Sequence, residues 1–159
     1  MCQLSNLIHW LVLHSDLTIV EHHHHDGLDL FPDFGRQIPF GTGTSISYNY
    51  IDYRVKNETS NTYQLRLCTD DEYLCGELRA MNPQPHTFHI HAENEYFSRE
   101  RLRVGDGTSG MDGTIYRNGQ VYRDVIDRMT GQHLESQLIR TNHAKVMYDL
   151  PPTTIIKES

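Results

Sequence analysis

Apolar positions near the start of the chain follow a helical repeat. Leucine and isoleucine recur at spacings of three and four over residues 4–11, which is the spacing of one face of an α-helix. Trp10, Val12 and Leu13 widen this face until it covers most of the helix. A helix that is apolar almost all round packs on more than one side. The pattern predicts a buried helix at about residues 3–14, ending where Ser15-Asp16 interrupts the repeat.

After residue 16 the pattern changes to the alternation of β-strands. Leu17–Glu21 is rich in β-branched residues and predicts a strand that runs into four consecutive histidines, His22–His25. Further strands are predicted at residues 44–56, 63–67, 73–81, 86–97, 121–129 and 134–140. Asn118-Gly119, within alternating residues 114–122, favours a type I′ hairpin turn, and Thr130-Gly131 predicts another turn. One helix followed by hairpin-connected strands predicts an α+β fold with a mostly antiparallel sheet.

Composition and charge narrow the class of protein. A chain of 159 residues is long enough for one domain with a core. Its net charge is −7 and no basic stripe is present, so we expect no nucleic-acid partner. Three cysteines at uneven spacing favour reduced thiols and a cytoplasmic location. No apolar stretch reaches the ~18–20 residues that cross a bilayer, so we expect no membrane span in this chain.

The candidate chemistry centres on Cys2 and the histidine run. A thiol at a helix N-terminus feels the positive end of the helix dipole, which favours the nucleophilic thiolate. A strand antiparallel to a helix of about 18 Å retraces that length in roughly five or six residues. The histidines then come level with Cys2, where one of them can act as its base. We therefore predict a thiol site.

Two other interpretations of the same residues stay open. In the first, Cys2 is a small buried apolar residue, Gln3 and Ser5 are polar residues of a helix start, and the histidines are solvated. In the second, His23 and His25 share one face of a strand and hold a zinc ion. No spaced set of cysteines and histidines accompanies them, so we expect no cofactor.

Other motifs are interpreted as structural. The strand that contains His86, His89 and His91 is expected to turn these histidines towards solvent. Cys68 and Cys75 flank a predicted turn and are expected to face each other without a disulfide. The tyrosines of residues 48–53 are interpreted as sheet packing.

Several motifs resemble the VanW family. They are spread over essentially the whole chain: Cys2–Leu7, His14–Glu21, His25, Phe31-Pro32-Asp33, Arg36, Pro39-Phe40-Gly41, Tyr48–Asp52, Lys56–Thr59 and Asn142–Met147. The family is named from vancomycin resistance gene clusters of the B type. The resemblance implies a role in glycopeptide resistance or in cell-envelope physiology. A peptidoglycan precursor or another envelope component is the implied partner, and a non-catalytic accessory module that binds such a component is the alternative.

The resemblance also selects among the site residues. The family match falls at His25, which we take as the base, with His23 next because it shares strand parity. Asp33 or Glu21 can orient that base through a hydrogen bond. Gln3 or Ser5 can donate a hydrogen bond to the oxyanion that forms on the substrate. This arrangement implies a cysteine-dependent hydrolase or a transpeptidase-like enzyme acting on a cell-wall peptide or amide.

The start of the chain differs from the family pattern. Family members carry a Gly-rich segment directly before the Cys-Gln pair, where this chain has Met1. We therefore expect the chain to be the C-terminal portion of a longer protein, and we expect catalysis to depend on the missing segment. Within the chain we predict a core over residues 1–98, a hairpin extension of the same domain over 99–150, and a frayed tail over 151–159.

Overall fold

A computed structural model of the chain describes residues 2–24, 27–32, 38–100 and 113–158, with Cys2 described by its backbone alone. The elements within these ranges are, in chain order, α1 (Cys2–Leu13), β1 (Thr18–Glu21), β2 (Leu28–Asp29), β3 (Arg54–Lys56), β4 (Tyr63–Thr69), β5 (Leu74–Ala80), β6 (His86–Glu100), β7 (Thr114–Asp127), β8 (His133–Val146) and β9 (Ile156–Glu158). Over the described ranges the strands hold 69 residues and the helix 12. The predicted α+β class is therefore wrong, because the protein is mostly β.

Five strands form one curled, mixed sheet in the order β2-β8-β7-β6-β9. Its centre, β6-β7-β8, is antiparallel, whereas the edge strands β2 and β9 run parallel to their neighbours. The parallel edges were not predicted because β2 and β9 have only two and three residues, too few for a periodic signal. Two further antiparallel pairs, β1-β3 and β4-β5, lie outside this sheet.

Helix α1 is covered on more than one side, as its apolar circumference predicts. Near its C-terminal end Leu13 packs with Ile90 and Val121 of the large sheet in the buried core. On another side Leu7 and Leu11 lie against Gly76 of β5. A Cβ added to that glycine would come within 3.0 and 3.1 Å of their methyl carbons. The helix is thus held between the large sheet and the β4-β5 hairpin.

An arginine of the large sheet caps the end of helix α1. Arg123 Nε donates to the carbonyl oxygen of Leu13 at 2.8 Å, and its Nη2 donates to the carbonyl oxygen of Ser15. The guanidinium also lies 3.9 Å from the ring centroid of Phe88. The last carbonyls of a helix have no partner within the helix, and a cation there also favours the negative end of the dipole. Arg123 therefore fastens α1 to β7.

Asn118-Gly119 lies in the middle of β7, so the hairpin turn predicted there is wrong. The neighbouring strand β6 has a bulge between Glu93 and Tyr96, and Gly119 faces the extra residues of that bulge. A Cβ on Gly119 would lie 3.1 Å from Cγ of Glu95. The glycine is required by the close approach of a bulge and not by a turn. The turn predicted at Thr130-Gly131 is confirmed, since it joins β7 to β8.

Residues 44–53 form a loop where the long strand over 44–56 was predicted, and only Arg54–Lys56 of that range forms a strand, β3. The loop contains a tight turn, Ser47–Ile51, whose two end residues exchange backbone hydrogen bonds. The alternating aromatic residues that resembled a strand are displayed by this turn. Tyr48 and Tyr50 are 83% and 89% exposed, so their interpretation as sheet packing is wrong.

The described ranges contain no helix that is both long and apolar enough to cross a membrane. Cys68 of β4 and Cys75 of β5 are direct partners in the hairpin register and are free thiols, as predicted. The division of the chain at residues 98 and 150 stays a prediction.

Candidate functional site

The predicted thiol site is described in part. His25, Asp33 and the side chain of Cys2 lie outside the described residues, so their contacts stay predictions. Gln3 is exposed on the first turn of α1, and His23 is exposed just after the end of β1. The zinc interpretation of His23 and His25 likewise stays a prediction.

His23 and Glu21 form a hydrogen-bonded pair at the end of β1. His23 Nε2 lies 2.9 Å from Glu21 Oε1, and Arg54 of β3 forms an ion pair with the second carboxylate oxygen. The hydrogen bond with His23, together with Arg54, lowers the pKa of the Glu21 carboxyl. The ionised carboxylate therefore holds one orientation of the imidazole, which is what an orienting carboxylate does for a catalytic base.

The preceding histidine, His22, turns inward and stacks on His9 of helix α1. The two ring centroids are 4.3 Å apart and the ring planes differ by 9°. His9 is fully buried, and its Nδ1 shares a hydrogen bond of 3.0 Å with Tyr53 Oη. His22 Nε2 donates to the carbonyl oxygen of Gly43 at 3.0 Å. The sequence patterns missed this pair, because a single histidine in an apolar helix gives no indication of its partner.

Burial decides the charge of this inner histidine pair. Burial, with a smaller contribution from His22, lowers the pKa of His9 to about 3. Burial also lowers the pKa of His22 and raises the pKa of Tyr53. All three groups are therefore uncharged near neutral pH, and neither histidine is a cation that can attract a substrate anion.

A short segment, residues 43–45, lies between helix α1 and the histidine run. On the helix side, the Thr44 N–H donates to Asn6 Oδ1 at 2.8 Å, and Ser5 Oγ donates to the carbonyl oxygen of Thr44 at 3.3 Å. On the other side, the Ser45 N–H donates to the carbonyl oxygen of His23 at 2.7 Å. The backbone of the run therefore passes beside the first turns of α1, with one stretch of chain in between.

An open cleft of about 730 Å³ lies against the same turns of α1. Its walls combine apolar, hydroxyl and aromatic side chains from the helix and from the loop that follows: Leu4, Ser5, Ile8, residues 46–53 and Val55. Tyr48 and Tyr50 stand at its rim. Among the described residues that line it, Asp52 carries the single charge. The cleft therefore suits a ligand that offers apolar surface and amides and that carries no strong negative charge.

The cleft lined by Tyr48 and Tyr50, here called the tyrosine cleft, lies within the part of the chain that matches a known family. A family model described as "VanW like protein" matches residues 1–79. The vancomycin B-type resistance protein VanW of Enterococcus faecalis is 31% identical to the chain over all 159 residues. The chain spans about half of that relative's length, 54%. The search of the solved structures found no match. The identity continues beyond the residues that the family model covers, and both findings agree with the motifs noted above. The chain belongs to the VanW-like family.

Proposed function

We propose that this chain forms a binding surface for the peptide part of a cell-wall component, and that it serves glycopeptide resistance or envelope physiology in this way. The resistance context comes from the relative, which is named a vancomycin B-type resistance protein. The observation that carries the proposal is the cleft beside α1 with Tyr48 and Tyr50 at its rim. All residues that line it lie within the family match.

The composition of the cleft favours a peptide over a phosphate group. Tyrosine combines a large apolar ring with a hydroxyl that hydrogen-bonds to amides, at little cost in side-chain entropy. Phosphate recognition commonly relies on arginine or lysine side chains, and the described lining contains neither residue. Asp52 would repel a phosphate and attract a free amino group. A peptidoglycan precursor would therefore bind here through its peptide and not through its diphosphate.

Direct binding of a soluble cell-wall stem peptide tests this proposal. We expect the purified chain to bind the peptide and the Tyr48→Ala/Tyr50→Ala variant to bind it at least about tenfold more weakly, because aromatic anchors dominate such surfaces. Titration followed by NMR chemical shifts measures the affinity and locates the contact. Tyr73→Ala is the matched control, since Tyr73 is 66% exposed and lies outside the cleft lining. No binding by the wild-type chain, or equal binding by the double variant, would contradict the proposal.

A cysteine-dependent activity is the second candidate. It is favoured by the start of α1 at Cys2 and by the passage of the histidine run beside the first turns of that helix. In this candidate the Cys2 thiolate attacks the carbonyl carbon of a cell-wall amide, the imidazolium of the histidine base protonates the leaving nitrogen, and the amine departs to leave an acyl thioester. Water or a second amine then takes the acyl group. His25 or His23 is the base. Asp33 orients that base, and Gln3 donates a hydrogen bond to the oxyanion.

Alkylation of the thiol across pH separates the two candidates. In a Cys68→Ser/Cys75→Ser background Cys2 is the sole cysteine, and an activated thiol would give a labelling midpoint clearly below about 8.5. We expect His25→Gln to move that midpoint upward if His25 is the base. The matched control leaves Cys75 as the sole thiol. Burial and the carboxylate of Asp70 raise the pKa of Cys75, so its midpoint lies higher. A midpoint for Cys2 at or above about 8.5 would rule out the activated thiol and leave the binding proposal untouched.

A further inference from the structure

A second group of histidines lies on the face of the large sheet that points away from helix α1. His89 and His91 belong to β6, and Asp124 of β7 is the direct partner of His89 in the strand register. Side chains alternate between the two faces of a sheet along each strand. The three residues therefore lie opposite the face formed by their neighbours Ile90 and Arg123, which pack towards the helix.

The ligand atoms of these three residues lie close together. Asp124 Oδ2 is 3.7 Å from His89 Nδ1 and 3.4 Å from His91 Nδ1, and one ligand atom from each residue falls within 4.8 Å of the others. Zinc bonds of about 2.0–2.1 Å at tetrahedral angles separate neighbouring ligand atoms by about 3.3 Å. The two distances to the carboxylate need to shorten by at most about 0.4 Å, and the distance between the imidazole nitrogens by at most about 1.5 Å.

The two imidazoles are already held side by side. The ring centroids of His89 and His91 are 5.3 Å apart with planes 15° apart, and the ring of Tyr122 stacks on His91 at a centroid distance of 5.8 Å. His91 Nδ1 is buried, and although Asp124 Oδ2 lies 3.4 Å away, this nitrogen forms no hydrogen bond with any group of the described residues. A buried nitrogen in this state is costly unless something binds it, and a metal ion does so.

The remaining carboxylate oxygen of Asp124 is fixed from outside the group. Ser136 Oγ of β8 donates to Asp124 Oδ1 at 2.6 Å, and His133 Nε2 lies 3.3 Å from the same atom. Oδ2 is thereby turned towards the two imidazoles. Hydrogen bonds that orient a ligating carboxylate in this way are characteristic of metal sites.

We propose that His89, His91 and Asp124 form a binding site for a transition-metal dication, with zinc as its best-suited ion and Ser136 as the residue that orients the carboxylate. Two imidazole nitrogens beside one carboxylate suit zinc, whereas magnesium and calcium prefer oxygen ligands alone. Three protein ligands leave a fourth position for water or for a group of a bound substrate. The site shares no residue with the tyrosine cleft or with the histidine run, so it does not depend on either candidate function.

Zinc titration in a suitable background tests this site. Because a histidine run binds zinc loosely by itself, the background carries His23→Gln, His24→Gln and His25→Gln. Competition with a chelating dye should show one zinc site per chain. We expect His91→Asn to weaken the site by at least about 100-fold and Ser136→Ala to weaken it by about tenfold.

The matched control is His86→Asn. His86 lies on the same strand and contacts a carboxylate, since its Nδ1 is 2.6 Å from Asp16 Oδ1, but it is not one of the grouped ligands. We expect this variant to bind zinc as the background protein does. Cobalt(II) supplies an independent readout, because a four-coordinate site gives strong visible absorption that His91→Asn should abolish.

Three outcomes would overturn the proposal. The first is a protein without a one-to-one zinc site, and the second is equal affinity in His91→Asn and His86→Asn. The third is a site that prefers magnesium or calcium to zinc. Circular dichroism verifies that each variant is folded, and Asp124→Asn, which preserves the shape of the side chain, provides a second ligand deletion.

Discussion

On the helix side of the large sheet His9 and His22 are buried against each other, whereas on the opposite face His89 and His91 lie against Asp124. The inner pair has neutral partners, a tyrosine hydroxyl and a backbone carbonyl, so burial keeps both rings uncharged. The outer pair shares a carboxylate at a half-exposed surface. The groups that contact a histidine, and not the residue type, therefore decide whether it serves packing or can bind a cation. The inner face should therefore determine stability, and the outer face should determine ligand binding.

The largest loss of stability is expected from the contact of Arg123 with the end of helix α1. Arg123→Met removes the partners of two backbone carbonyls and the contact with Phe88. Because hydrogen bonds from charged groups contribute about 1.5–3 kcal/mol each, we expect the free energy of unfolding to fall by about 3 kcal/mol or more. Urea denaturation measures this change. Arg79→Met on the half-exposed surface of β5 is the control, with an expected change within about 0.5 kcal/mol.

Acid should weaken the inner face through His9. Its pKa is lowered from 6.5 to about 3 in the folded protein, so below pH 6.5 the unfolded chain takes up a proton that the folded chain does not. The contribution of His9 to stability is complete above about pH 6.5 and is lost as the pH falls towards 3, at up to about 1.4 kcal/mol per pH unit. Denaturation at pH 6.5 and 4.5 should therefore show a loss of about 2–3 kcal/mol from this group.

The variant His9→Leu should remove that part of the pH dependence. Val12→Ala, on the same buried face of α1, is the matched control. Val12→Ala should lower the free energy of unfolding at both pH values and leave its dependence on pH as in the wild type. An unchanged slope in His9→Leu would show that the buried imidazole is not the group that titrates.

A smaller effect is expected where the helix meets the β4-β5 hairpin. Gly76→Ala places a Cβ about 3.0–3.2 Å from methyl carbons of Leu7, Leu11 and Leu67. Such overpacking typically costs about 1–3 kcal/mol, and we expect the lower part of this range because side chains can shift. The change in melting temperature measures it. In the double variant, Leu67→Ala should remove the contact at 3.2 Å and so recover part of the lost stability.

The smallest effect on stability is expected on the outer face. Without added metal, Asp124→Asn should change the melting temperature by no more than about 2 °C, since the site lies at the surface and its shape is retained. The same variant should lose the rise in melting temperature that zinc gives to the unsubstituted protein. A large loss of stability without metal would show that Asp124 is a structural residue, which would remove the distinction between the two faces.

The sequence patterns predicted the elements whose own residues carry a regular repeat. Helix α1 and the hairpin β4-β5 follow from helical spacing and from strict alternation, which need no knowledge of the remaining chain. The failures come from tertiary pairing. Gly119 serves a bulge in the neighbouring strand, and the aromatic residues of 44–56 are displayed by a turn, although both patterns resemble those of regular hairpins and strands.

The candidate sites show the same division. The alternation of His89 and His91 was visible, but their carboxylate partner is 33 or more positions away and becomes a neighbour only through the register of β6 with β7. A search for histidines two apart on one strand, followed by an aspartate on the strand expected to pair with it, would have found the group. The buried stack of His9 and His22 has no such signal, because its partners meet through the packing of a helix against a loop.

The contact between Arg123 and Leu13 also has a consequence for biosynthesis. The two residues are 110 positions apart, so the end of helix α1 cannot be secured until β7 has left the ribosome. At about 5–20 residues per second, this interval lasts about 5–20 s. Contacts of such long range also slow folding itself. During that time helix α1, which is apolar almost all round, lacks its final cover and is a segment that a chaperone can bind.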